Sequence, residues 1–182
     1  MSVLHLVFGW RAVLGGGEPP VHWVASYIDA AGAHTVEVWR QPGHVRHVTD
    51  RRLELDAVRP AGEGYRFVIN DLARQVSYRG TERDRIQRGS FDDWQRWTHV
   101  VAPARPDALV FPLGRPEAST PAGRCRWFAD GDRELCWSRS LAIPLVIRAG
   151  GKDVYTVSLA EAFHGSLAPL APLGDELGGD DD

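Results

Sequence analysis

The sequence predicts a mainly β protein, a curled antiparallel meander of about eleven strands forming an incomplete barrel, with a covering helix and a possible N-terminal helix. Three observations predict it. Stretches rich in Val, Ile, Tyr and Trp recur between residues 22 and 160, separated by Gly, Pro, Asn and Asp, which is the punctuation of strands and turns. Most connections are too short to hold a crossover helix, so neighbouring strands run antiparallel. A single sheet of that many strands has to curl.

The apolar opening, Val3 to Leu14, carries His5 and Arg11 and is shorter than the roughly twenty residues of a membrane-spanning helix. It reads either as an amphipathic helix capped by Ser2 and stopped at Gly15–Gly17, or as the remnant of an export segment. A Gly/Pro linker then leads to His22–Ile28 and His34–Arg40, two strands around a glycine-containing loop at Gly32. Pro42-Gly43 turns the chain into His44–Thr49, and Arg51-Arg52 into Leu53–Val58. Tyr65, Phe67 and Ile69 share one face of the next strand, and Asn70-Asp71 turns it into Arg74–Arg79. The covering helix is Ser90–Val101, with Ser90 as cap, Asp92 and Asp93 at its positive end, and Phe91, Trp94, Trp97 and Val101 on one side; Pro103 ends the run.

After Ala108–Leu113 comes Cys125-Arg-Trp-Phe-Ala-Asp-Gly-Asp-Arg-Glu-Leu-Cys136. Asp130-Gly131 as a two-residue turn puts Cys125 directly opposite Cys136, so the two cysteines are either a cross-strand disulfide or a reduced pair filling the hairpin face. A disulfide points to the periplasm or another extracytoplasmic compartment, while the lack of a clear signal peptide leaves the cytoplasm open. Leu141–Arg148 and Asp153–Leu159 complete the meander around Gly150-Gly151. The stretch from Pro169 to Asp182 is proline-, glycine- and acid-rich and reads as a disordered tail.

With 182 residues, 43% of them hydrophobic, the chain supports one core, and residues 1–168 read as a single domain. A formal charge of −3 argues against nucleic acid as partner. His44 and His47 stand three apart on a strand and so point to opposite faces, which disfavours a metal. His99, near Asp92 and Asp93, is a candidate proton donor or acceptor. Ser138 and Ser140 lack a nucleophile-elbow context, no phosphate-binding glycine loop is present, and neither cysteine sits in a CxxC. No catalytic motif, cofactor or metal is implied. Seven tryptophans either fill a core or pave a cavity able to enclose an acyl chain.

Three runs carry a family resemblance. Val36-Glu-Val-Trp39-Arg-Gln-Pro42-Gly-His-Val-Arg46-His is a strand ending in Trp and a basic residue, then Pro and a second strand. Tyr65–Asp71 through Tyr78 is a hairpin of strand, Asp turn and aromatic strand, and Arg133 through Ile147 holds an Ile-Pro-Leu step that opens a strand. Over residues 22–160 this pattern resembles the outer-membrane lipoprotein carrier and receptor superfamily, the LolA/LolB-like half-barrel fold. The resemblance implies a hydrophobic cavity, lidded by helices, that shields lipoprotein acyl chains. The family's functional arginine immediately precedes the proline; here Gln41 stands there and the basic residue is Arg40. An enzyme of violacein biosynthesis shares the fold, so the scaffold also implies a possible small-molecule reaction.

Three function classes follow. In a hydrophobic binder, expected to be a monomer, Val38, Trp39, Arg40, Phe67, Ile69, Tyr78, Phe91, Trp94 and Trp97 form cavity and lid around a small apolar molecule, an acyl chain or a lipoprotein's lipid. In an enzyme, Arg40, His99 and Asp93 act at the rim. In an interaction module the interior is filled and the acidic tail docks a partner.

Overall fold

A computed structural model describes residues 8–9, 17–90, 93–100, 109–173 and 175–177. The strands are β1 Phe8–Gly9, β2 Val21–Asp29, β3 Gly32–Gln41, β4 His44–Thr49, β5 Leu53–Val58, β6 Arg66–Asp71, β7 Val76–Thr81, β8 Leu109–Pro112, β9 Ala118–Thr120, β10 Gly123–Asp130, β11 Arg133–Ser138, β12 Ile143–Ala149, β13 Lys152–Ala162 and β14 Asp175–Leu177. Helices α1, Glu82–Gln87, and α2, Asp93–His99, lie between β7 and β8. The eleven longer strands are those the sequence predicts; β1, β9 and β14 are added pieces of two or three residues.

The order in the sheet is β1-β8-β10-β11-β12-β13-β2-β3-β4-β5-β6-β7-β14, with β9 pairing β10, and every pairing but β14 to β7 is antiparallel. The sheet is open. Its curl is measurable from one cavity that Ile69 on β6 and Ile147 on β12 both line. These strands are six positions apart, and in a flat sheet at ~4.8 Å per strand they would be about 29 Å apart.

The pairing of β13 with β2 brings the last long strand beside the first and so decides where the opening falls. The long strands at the two edges, β7 and β8, are consecutive in the chain. Both helices belong to the segment between them in the chain, and the second packs on the concave face through β4 and β6. Alternation supplies the core: Trp23 and Ala25 on β2, Val36, Val38 and Arg40 on β3, and Val45 and His47 on β4 face inward and are buried. Phe67 packs over Gly80 of β7; a Cβ there would lie 2.6 Å from the Phe67 ring.

Several expectations change. Of the N-terminal segment only Phe8–Gly9 is described, and it is a strand paired to Leu109 and Val110 of β8 rather than a helix turn; the rest lies outside the described residues. The helix at Glu82–Gln87 has a capping box the sequence reading passed over: the Thr81 hydroxyl accepts from Asp84 N, and the Asp84 carboxylate accepts from Thr81 N. The cysteine hairpin turns one residue later than expected. Asp130 pairs with Arg133, so Gly131-Asp132 is the loop, and Gly131 takes φ 64° at its first position, as in a type II′ turn. Cys136 thus sits opposite Trp127. Cys125 and Cys136 are nevertheless bonded, with their Cα atoms 5.2 Å apart.

The C-terminal segment expected to be disordered is bonded across the convex face, one strand at a time. Gln41 Oε1 accepts from Leu167 N, Arg46 donates to Ala168 O, Asp56 accepts from Leu170 N, Asn70 donates to Ala171 O and Ser77 Oγ accepts from Leu173 N. These five side chains stand on β3, β4, β5, β6 and β7. Composition hid the strap because its own side chains do little of the holding; its backbone is held by polar residues elsewhere. Beyond it β14 pairs along the β7 edge, which would otherwise be open to strand addition. Ending the chain after His164 is expected to cost about 5 kcal/mol, at ~1 kcal/mol for each of the five lost hydrogen bonds, and to promote concentration-dependent association through β7. Urea denaturation and gel filtration check both.

Candidate functional site

The site is built around α2. Seven residues are too few for a helix to persist alone, so α2 depends on what it packs against. Trp97 meets Tyr65 edge-on at 5.0 Å and Phe67 at 5.5 Å, placing the helix against the inner face of β6. Asp93 at its start accepts from Arg85 Nε at 2.7 Å and from the Tyr65 hydroxyl at 3.3 Å. The helix stops before Val101, the predicted end, because Val100 takes φ 57°, a region a β-branched residue seldom occupies. The predicted first turn after the Ser90 cap, Phe91 and Asp92, lies outside the described residues.

Two inward side chains of the sheet hold the far end of α2. The buried His47 imidazole donates from Nε2 to Trp97 O at 2.6 Å. Arg40, fully buried, donates to Thr98 O at 2.7 Å, Ala142 O at 3.1 Å, Leu141 O at 2.5 Å and Pro19 O at 3.2 Å. One guanidinium thus ties the helix, the β11–β12 connection and the chain entering β2. Its plane lies over Trp23, 5.6 Å from the ring centre. Burial lowers its pKa to about 10, so it stays charged at neutral pH, its charge spread over carbonyl dipoles.

His99 Nδ1 donates to Ala142 O at 2.9 Å. Burial, and next the Arg40 charge, lower its pKa to about 4; burial does the same to His47. Both imidazoles are therefore neutral donors to backbone carbonyls at neutral pH.

Beside α2 the concave face encloses a trough of about 750 Å³, within the ~300–1,000 Å³ of small-molecule sites. Its walls are Val36, Leu53, Leu55, Ile69, Ile147 and Val154, with Trp97 and Val100 from the α2 side and Tyr27 and Tyr155 closing the β2–β13 wall. Most of its polar groups are already engaged. His47 is spent on Trp97 O, and the Tyr155 hydroxyl accepts from Trp23 Nε1 at 3.0 Å. Desolvation raises the pKa of both tyrosines, so they are neutral phenols.

Of the residues the sequence proposed for a cavity, Ile69 and Trp97 line the trough. Val38, Arg40 and Phe67 face inward but are buried in the core. Trp94 turns the other way: its Nε1 donates to Glu18, and Arg59 lies over its ring. Tyr78 faces inward at the β7 edge but is 41% exposed and accepts from Arg88. Trp39 is on the convex face, stacked on His22 at 5.1 Å; with Val38 and Arg40 inward, strict alternation puts the residue between them outside. Phe91 lies outside the described residues. The sequence reading missed Leu55, Ile147, Val154 and the two tyrosines. Their alternation was visible, but which strands face each other across the trough was not.

Comparison with protein-family models, curated proteins and solved structures found no match to this chain. Among the described residues, no helix is long and apolar enough to cross a membrane, and no group of three or more His, Cys, Asp or Glu is placed to hold a metal.

Proposed function

We propose that this protein binds an apolar ligand, an acyl chain or a molecule of similar shape, in the trough beside α2. The observation that carries this reading is an aliphatic and aromatic trough of about 750 Å³ with a helix against its side. Each methylene withdrawn from water into it contributes about 0.8 kcal/mol, so chain length sets affinity. The polar groups an enzyme would use support binding over reaction. Arg40 and His99 are spent on backbone carbonyls, Asp93 is paired with Arg85, and none of the three lines the trough. Carriage of a lipoprotein's lipid outside the cytoplasm, as the half-barrel resemblance implies, agrees with this chemistry and with the Cys125–Cys136 bond.

A fatty acid labelled with nitrobenzoxadiazole is expected to brighten on binding and to saturate at one per chain. Ile69→Arg, which puts a charge into the apolar wall, is expected to weaken uptake at least tenfold. No brightening, or uptake indifferent to that substitution, would sink the proposal. Native mass spectrometry of protein from its own source would then identify any retained lipid.

A further inference from the structure

The ionic groups facing the trough are Asp29, Arg96 and Arg133. Asp29 belongs to its own hairpin: its carboxylate accepts from Ala31 N at 2.8 Å, Gly32 N at 3.2 Å and His34 at 3.1 Å. Arg133, at the start of β11, is paired with Asp130. Arg96 differs. It projects from the exposed side of α2, one residue before Trp97 on the wall, and makes no hydrogen bond or ion pair among the described residues. Two cations therefore face the space against one carboxylate that local hydrogen bonds already occupy, and the unpartnered cation is the solvent-exposed one.

We infer that the trough selects single-chain amphiphiles with an anionic head, a carboxylate or a phosphate monoester, seated with the tail among Ile69, Leu55 and Ile147 and the head against the Arg96 guanidinium. The inference rests on the proposed apolar binding and adds a head-group rule to it. Guanidinium bonds to carboxylate or phosphate in two parallel contacts, and the low-dielectric wall behind the pair strengthens it relative to water. A quaternary ammonium head meets like charge at the same place.

The test uses quenching of Trp97 by a brominated chain. At pH 8, 9,10-dibromostearate is expected to quench at a concentration at least ten times lower than its methyl ester, which has the same tail and no charge. Arg96→Gln, a change on the exposed side of a helix that leaves the packing intact, is expected to remove that difference by weakening the acid and leaving the ester unchanged. Trp97→Phe, which deletes the reporter, is expected to remove most of the quenching and so to locate it. Monododecyl phosphate is expected to displace the acid, and dodecyltrimethylammonium is not. Acid and ester quenching equally, or an acid preference that survives Arg96→Gln, overturns the head-group rule while leaving apolar binding standing. No quenching by either chain overturns both.

Discussion

Acidification from pH 7 to 4 is expected to remove several kcal/mol of stability and to release α2 from the sheet. The cause is the pair of buried histidines. In the folded chain His47 and His99 have pKa values near 4, lowered first by burial and, for His99, also by the Arg40 charge; unfolded, each returns to ~6.5. Between those values the unfolded chain binds more protons, so stability is fully present above about pH 6.5 and falls as pH drops towards 4. Each histidine contributes at most ~1.4 kcal/mol per pH unit in that window, a large fraction of the ~5–15 kcal/mol that holds a domain together. Urea midpoints at pH 7.5, 5.5 and 4.5 measure the slope. His47→Gln with His99→Asn keeps an N–H donor near each carbonyl without a titrating ring, and is expected to flatten it. An unchanged slope in the double variant would assign acid sensitivity elsewhere.

Arg40→Leu is expected to cost about 3–5 kcal/mol, at ~1 kcal/mol or slightly more for each of the buried carbonyls that lose their donor. The leucine fits the apolar surroundings, but it leaves the carbonyls of Pro19, Thr98, Leu141 and Ala142 without their shared donor, and unmet buried acceptors are costly. Arg40→Lys keeps the charge, yet an ammonium on one stem cannot span four carbonyls on three segments, so it is expected to recover only part of the loss. Hydrogen exchange gives the specific readout. Amides of α2 should exchange faster in Arg40→Leu, while the β2–β3 ladder beside it, held by its own backbone bonds, keeps its protection. Uniform loss of protection would mean that Arg40 stabilises the whole domain and not the helix attachment.

Local features of this chain were legible because local physics sets them. Val36, Val38 and Arg40 alternate with Glu37 and Trp39, which is enough to mark a strand with one buried face. That alternation, applied strictly, also excludes Trp39 from a cavity that contains Val38. Thr81 and Asp84 also carry the start of α1 in their spacing, a local signal the sequence reading passed over. The disulfide partners were legible from there being only two cysteines on one hairpin. Their register was not, because a type I′ turn at Asp130-Gly131 and a II′ turn at Gly131-Asp132 differ by a backbone choice that neighbouring strands settle.

The amino-acid order by itself determined a mainly β meander with eleven principal strands, a helix bearing Trp94 and Trp97, and the shared inward face of Phe67 and Ile69. Only the tertiary structure decided that β13 closes against β2, that the seam therefore falls between β7 and β8, and that α2 packs on the inner face against β4 and β6. It also decided that residues 167–173 form a strap and that Arg40 is a buried clasp. The reason is range: periodicity is fixed by backbone geometry over a few residues, whereas each of these features joins groups 21 to 141 positions apart, whose proximity exists only once the sheet has rolled.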